Sequence, residues 1–285
     1  MRVVQHPTAA QFLSATESFR GQHPTLTSII GSVATSIVTG KSYSDEFWYV
    51  VEDERGSVVG CAMRTPPWLL AVSPMDDTAA LALAQVLRLS DPDLPGIVGP
   101  REVALTLADA LGKRGTSALT EFVRVLHAYR PPLPVEGAAR PVTRADMELV
   151  RAWWLQFALD AGLPMRDTAT LDEELTAMIG EERLHLWEVA GQTVAFGGHA
   201  ALVSTPAGVV ARIGPIFTPE ALRGRGYGTA ITAAMVEYLQ PRSDLIMLFT
   251  DADNPTSNGI YERLGFDYEG EIVEIEFEPS DQSAS

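Results

Sequence analysis

The sequence predicts an α/β chain, a mixed β-sheet flanked by helices, built as two halves of similar element order. Three observations predict it. Short apolar runs of strand length alternate with segments of helical period along the whole chain. A proline-rich stretch at residues 129–138, YRPPLPVEGA, interrupts that alternation near the middle, where three prolines in four positions stop a helix and favour extended chain. The order of elements after that stretch is repeated, more faintly, before it. With 285 residues, 46% of them hydrophobic, the chain can bury two cores of ordinary size. The predicted division is 1–130, a proline-rich linker at 131–137, a second domain at 138–278 and a polar, flexible tail at 279–285.

Each element has its own signal. In the first half, helices fit residues 8–19 and 26–38. A hairpin fits 47–52 and 58–63 around the turn at Arg55 and Gly56, and a strand fits 68–72. A helix at 76–89, a short strand at 96–98, a helix at 102–111 and a strand at 121–127 close that half. In the second half, Thr143 is the expected N-cap of a helix carrying Val150, Trp153, Trp154 and Phe157 on one face. A helix at 171–179 follows, then a hairpin at 185–202 turning at Gly191 and Gln192. The strand 208–217 is interrupted by Gly214 and Pro215. A helix at 228–239, a strand at 245–250, a short helix at 257–264 and strand material at 266–277 complete the order.

Composition narrows the function. The formal net charge is −16, and it is uneven: residues 1–135 hold 11 basic and 13 acidic side chains, residues 136–285 hold 10 and 24. Such a surface repels nucleic acid, whose binding rests on neutralising phosphates. It serves solubility, or it attracts a cationic substrate. No apolar run reaches the roughly 18 residues of a spanning helix and the N-terminus has no signal-like apolar core, so the expectation is a soluble, cytoplasmic protein without a membrane partner. Cys61 is the single cysteine, which excludes an intramolecular disulfide and a cysteine-based zinc site; no metal is expected.

The strongest chemical signal is the loop from Pro219 to Ala230, PEALRGRGYGTA, with Gly224, Gly226 and Gly228 alternating between a strand and a helix. Glycines let successive backbone N–H groups converge, and a helix N-terminus adds unpaired N–H groups and roughly half a positive charge. Together they make a site for phosphate or pyrophosphate. A Walker-type loop would need Gly-Lys-Ser/Thr, which is absent. A dinucleotide fold would need G-x-G-x-x-G; the spacing here is G-x-G-x-G, although Asp251 stands where a ribose-binding acid would. A plain glycine-rich turn is the remaining alternative.

The run Arg223-Gly-Arg-Gly-Tyr-Gly228 resembles the Arg/Gln-x-x-Gly-x-Gly/Ala signature of the GNAT superfamily of N-acetyltransferases. Downstream, Asn254, Ser257, Tyr261, Gly265 and Phe266 fall in register with the family's second segment, Asn-x-x-Ala/Ser-x-x-x-Tyr-x-x-x-Gly-Phe. The resemblance covers residues 138–277 and implies tandem GNAT-like domains with the first one degenerate. It implies acetyl-CoA as co-substrate in a cleft between two parallel strands that splay. The backbone of residues 214–218, including Ile216, Phe217 and Thr218, would bond the pantetheine. Arg223, Gly224, Arg225, Gly226, Tyr227, Gly228 and Thr229 would hold the pyrophosphate, and Asn254 and Ser257 the cofactor arm. A small primary amine would attack the thioester directly in a ternary complex, with Tyr261 protonating the departing thiolate. The alternative is a regulatory module that binds acyl-CoA without catalysis.

The general base is less legible. Where some relatives carry a glutamate on the strand before the loop, this chain has Val210. Glu220 is poorly placed in the loop. Asp251, at the end of the next strand, is the catalytic candidate, and His199 is a second. Trp153, Trp154 and Phe157 line an acceptor pocket or simply fill core. In the first half, Ser73-Pro-Met-Asp-Asp-Thr78 replaces the glycine loop, and Asp76 with Asp77 would repel a pyrophosphate. That half is expected to close the acceptor site or to replace a second subunit, giving a monomer that is an internal pseudo-dimer, or a homodimer.

Overall fold

The structure is a computed structural model and describes residues 1–278 except residues 164 and 166 and the side chain of residue 117; the expected tail at 279–285 lies outside them. The first half comprises β1 (Arg2–His6), α1 (Ala9–Ala15), α2 (Glu17–Gln22), α3 (Ser28–Val38), β2 (Phe47–Glu52), β3 (Val58–Arg64), β4 (Leu70–Val72), α4 (Asp77–Ser90), β5 (Gly96–Pro100), α5 (Arg101–Leu111) and β6 (Gly115–Leu126). The second comprises β7 (Ala138–Pro141), α6 (Met147–Asp160), α7 (Thr168–Gly180), β8 (Leu184–Val189), β9 (Gln192–His199), β10 (Val203–Thr205), β11 (Gly208–Phe217), α8 (Tyr227–Leu239), β12 (Leu245–Asp251), α9 (Pro255–Leu264) and β13 (Phe266–Phe277).

Most expected elements form within a few residues of their predicted bounds. The helix expected over 8–19 is broken at Thr16, which leaves helical geometry at φ −98° and ψ 2°. Its hydroxyl donates to the Phe12 carbonyl at 2.8 Å and accepts from Arg20 Nε at 3.1 Å, a local alternative to the helical ladder. Strands β1, β7 and β10 carried no period-two signal, being short and, for β7, containing Pro141 at a sheet edge. Thr143 caps as expected, through a reciprocal pair with Asp146 that opens a single 3₁₀ turn before α6.

The strands form one sheet in the order β1-β2-β3-β4-β5-β13-β6-β12-β11-β9-β8-β7, with β10 on β11. The two halves exchange their final strands. β6, from the first half, pairs antiparallel with β12 of the second, Met247 opposite Val125 through Asp251 opposite Glu121. β13, the last strand of the chain, pairs with β5 of the first half, Ile272 opposite Pro100 through Glu276 opposite Gly96. The two exchanged strands also pair with each other from Phe266–Leu126 to Phe277–Gly115.

Helices cover both faces. α4 and α5 close a core on Leu83, Leu87 and Leu107. α1 and α3 cover the opposite face, where Phe12, Ile30 and Trp48 pack with Val123, Val125, Val210 and Met247, so this core draws on both halves. α8 and α9 bury Met235, Leu239 and Leu264 against Ala211, Ile213 and Leu248. α6 and α7 bury Val150, Leu171 and Leu175 against Leu184, Leu186, Phe196 and Phe217. Apolar burial of this extent, at about 25 cal/mol per Å², is the main force holding the layers together.

Candidate active site

The cleft comes from a parallel ladder that ends early. β11 and β12 pair from Val210–Leu245 to Ile213–Leu248. Beyond those residues β11 bulges and follows β9, with Ile216 opposite Gly197 and Phe217 opposite Phe196. β12 continues alongside β6 instead, through Thr250–Phe122 and Asp251–Glu121. Gly214, at φ +149° with open space around its missing Cβ, accommodates the divergence. A cleft of about 1670 Å³ opens between the strands, with Ile213, Ile216, Phe217, Thr250 and Asp251 in its walls.

The glycine loop forms the floor. Gly224 and Gly226 take left-handed φ values of +78° and +83°, which a side chain would strain. Gly226 is the N-cap of α8 and offers no side-chain cap, so the first amides of α8, from Tyr227, Gly228 and Thr229, face the cleft without a capping oxygen. Thr218 sits above them: a Cβ at Gly228 would lie 3.5 Å from its Oγ1, and that hydroxyl is buried without a partner. An uncapped helix N-terminus beside an orphaned hydroxyl fits a bound anion carrying several oxygens.

The two loop arginines differ. Arg223 is engaged by the protein, its Nε donating to the Thr218 carbonyl at 3.0 Å and its guanidinium pairing with Asp160 of α6 at 2.6 Å. It thereby ties α6 to the loop. Arg225 is exposed. Asn254 caps α9, its Oδ1 accepting the Ser257 amide at 3.0 Å, and both residues line the cleft. Asn258 reaches back to the carbonyls of Asp251 and Asn254, each at 2.9 Å, and so fixes the β12–α9 turn.

Tyr261 lines the cleft one helical turn beyond Ser257 and packs edge-on to Phe266, with ring centroids 6.1 Å apart. Burial pushes its phenol up to about 12, so it is protonated at any physiological pH. Asp251 is exposed at the rim, its Oδ1 accepting the Asp253 amide at 2.9 Å. Trp153 and Phe157 line the cleft and also pack on the core beneath α6, whereas Trp154 only packs, against Phe196. His199 lies outside it: Nδ1 donates to the Ala200 carbonyl at 2.7 Å, its ring packs near Tyr238, and burial pushes it down to about 4.

Two wall residues, Leu119 and Glu121, belong to the first half and arrive on β6. Sequence reasoning missed them because the strand exchange that places them is a long-range pairing. A signal did exist: Glu121 stands in phase with Val123 and Val125, a carboxylate on the buried face of a strand.

Residues 147–266 match the family model described as Acetyltransferase (GNAT) family. The C-terminal half of the chain belongs to the GNAT acetyltransferase family. A protein of Arthrobacter sp. (strain FB24) named mycothiol acetyltransferase is 44% identical over 71 residues, 25% of this chain and 20% of its own length. One of the same name from Rhodococcus opacus (strain B4) is 28% identical over 250 residues, 77% of this chain and 79% of its own. Over its whole length the chain has the fold of tandem GNAT proteins. A solved tandem GNAT protein from the clavulanic acid biosynthesis pathway superposes with a TM-score of 0.60 at 14% identity, covering 99% of this chain and 100% of that one.

The first half of the chain is closed at the corresponding place. β4 and β5 pair in parallel at Leu70–Ile97 and Ala71–Val98, and the space beside Gly99 is filled by the Val72 side chain and carbonyl, 2.5 and 2.6 Å from where a Cβ would stand. The helix that follows, α4, is capped by the Asp76 carboxylate. Among the described residues no group of three or more His, Cys, Asp or Glu is arranged to hold a metal, and no helix is long and apolar enough to cross a membrane.

Proposed function

We propose that this protein is an N-acetyltransferase that moves the acetyl group of acetyl-CoA onto a small primary amine in a single ternary complex. The observation that carries the reading is the uncapped N-terminus of α8, set at the floor of the cleft where β11 and β12 part. When bound, acetyl-CoA supplies a thioester carbonyl that an amine attacks without an enzyme nucleophile. The amides of residues 225–229 and the Thr218 hydroxyl hold the anionic end. The backbone of residues 214–218 offers the edge of β11 to the arm, and Asn254 and Ser257 stand along it. Tyr261 keeps a proton at its phenol oxygen for a leaving thiolate. Its raised pKa is matched by the same burial, which also raises that of a thiolate expelled beside it. Asp251, at the end of β12 on the rim, supplies a negative charge beside which an ammonium docks.

The acceptor enters along α6, past Trp153 and Phe157, toward that acidic end. The relatives' name makes a mycothiol-related small molecule the first acceptor to test. The first half binds no cofactor of its own and completes the cleft wall, so that one chain does what two subunits would otherwise share. The test is release of free thiol from acetyl-CoA against a panel of small amines. Acceptor-dependent release is expected, and a chain that binds CoA yet releases no thiol with any of the amines would replace the reading with the non-catalytic one.

A further inference from the structure

We infer that Glu121, carried into the cleft by the exchanged strand β6, is the general base that takes the proton from the acceptor ammonium. The inference rests on the acetyltransferase reading above and deepens it by assigning the base to the half of the chain that lacks the family's motifs.

Three geometrical observations carry it. Glu121 lines the cleft beside the point where β11 and β12 part, directly opposite Asp251 in the β6–β12 ladder. It enters from the opposite face to Tyr261. Val123 and Val125, in phase with Glu121, pack with Met247 on the α1–α3 side of the sheet, whereas Tyr261 packs with Leu248 on the α8–α9 side. A base and an acid placed on opposite faces of one cleft can serve an amine arriving from one side and a sulfur leaving on the other. Finally, no donor among the described residues is hydrogen-bonded to the Glu121 carboxylate, so its oxygens are available to a ligand.

The surroundings set its basicity. Burial is the largest influence and pushes Glu121 up to about 7; Glu274 on β13 and Asp251 on β12 add like charge, and Arg212 on β11 opposes them. The guanidinium of Arg212 lies over the Phe249 ring, 5.4 Å from its centroid, and donates to Ser32 of α3 at 3.2 Å. The other charged groups on the cleft wall are the bonded pair Asp160–Arg223 on α6 and the glycine loop, Glu220 on that loop, and Arg263 on α9. A carboxylate near 7 is an effective base at neutral pH. The step balances simply: one N–H proton of the ammonium passes to a Glu121 oxygen, the nitrogen keeps the electron pair, and the proton later leaves to solvent.

The experiment compares the full-length wild type with Glu121→Gln and Asp251→Asn, using whichever amine the thiol-release panel identifies. The wild-type kcat/KM should rise with pH through a midpoint near 7. Glu121→Gln should lower kcat/KM by about 10²–10⁴-fold and remove that acidic limb, with CoA affinity unchanged by calorimetry. Asp251→Asn should keep the limb and move it to lower pH, because one like charge is gone. A second readout needs no turnover. A carboxyl whose folded pKa lies above its unfolded value costs stability as pH rises between the two, so Glu121→Gln should gain Tm relative to wild type between pH 5 and 8. An intact limb in Glu121→Gln, loss of the limb in Asp251→Asn, or a Tm gap that does not change with pH overturns the assignment while leaving the acetyltransferase reading in place. A wild type that transfers to no amine refutes that reading and the base with it.

Discussion

The carboxylate of Asp76 accepts the backbone amide of Ala79 at 2.7 Å, closing the N-terminus of α4 with the protein's own negative charge. The corresponding place at α8 is held by Gly226, which has no side chain and leaves the first amides open. One helix N-terminus carries a capping carboxylate and the other carries no side-chain cap. We therefore expect one CoA per chain by calorimetric titration. Asp76→Ala should cost about 0.5–2 kcal/mol in stability, as loss of a helix cap does, without creating a second site. The packed Val72–Gly99 contact still closes the space between β4 and β5. A stoichiometry of two in either protein would refute this account of the first half.

Gly226→Asp should abolish CoA binding. A carboxylate would sit where the uncapped amides converge, repelling a phosphate and capping the helix in its place, as Asp76 does at α4. The left-handed φ of +83° and Val135 Cγ2 at 3.2 Å from the new Cβ add strain, so stability should also fall by about 1–2 kcal/mol. Thr218→Val separates the two effects, because it removes only an unpartnered hydroxyl. It should weaken CoA binding while leaving Tm unchanged or raised.

The alternating glycines, read as an anion site, and the resemblance of the Asn254–Phe266 segment to the GNAT motif made the second half legible. The helix cap at Thr143 and the strand at residues 208–217 are set by neighbours in sequence. The exchange of β6 and β13 was not legible, because apolar alternation says which face of a strand is buried and nothing about its partner. The cleft wall that β6 supplies was hidden for the same reason. Glu121 lies 130 residues before its ladder partner Asp251, and no spacing within either half points to the pair. His199, a strand histidine of the right type, turned out to face Tyr238 and not the cleft.

The exchange also makes the halves depend on one another. Arg124 on β6 is 4% exposed and holds the second half's α9 region from beneath, donating to Asn258 Oδ1 at 3.1 Å, to Glu262 Oε1 at 2.8 Å and to the Phe266 carbonyl at 3.4 Å. Glu262 is largely exposed, so the ion pair itself contributes little. The larger loss on Arg124→Ala is the burial of unpaired Asn258 and Phe266 oxygens, about 2–4 kcal/mol together. Because Asn258 fixes the turn that carries Asn254 and Tyr261, the variant should also lose CoA affinity. Differential scanning calorimetry of the wild type should show a single transition for both halves; two separate transitions would mean that the exchanged strands do not couple them.

Tyr261→Phe tests the acid. The substitution keeps the ring, its packing on Phe266 and its place in the core beneath α9, and removes only the hydroxyl. No hydrogen bond within the described structure depends on that hydroxyl, so Tm and CoA affinity should barely change. Turnover should fall by about 10²–10⁴-fold, the usual contribution of a positioned acid. Because burial holds the phenol up to about 12, its deprotonation lies above the range in which the protein can be assayed, and the wild type should show no alkaline limb from this group up to pH 10. Loss of rate in Tyr261→Phe should shrink with an acyl donor whose thiol is more acidic, since such a leaving group needs less help from a proton. An equal loss with both donors would show that the ring positions the substrate and that its proton takes no part.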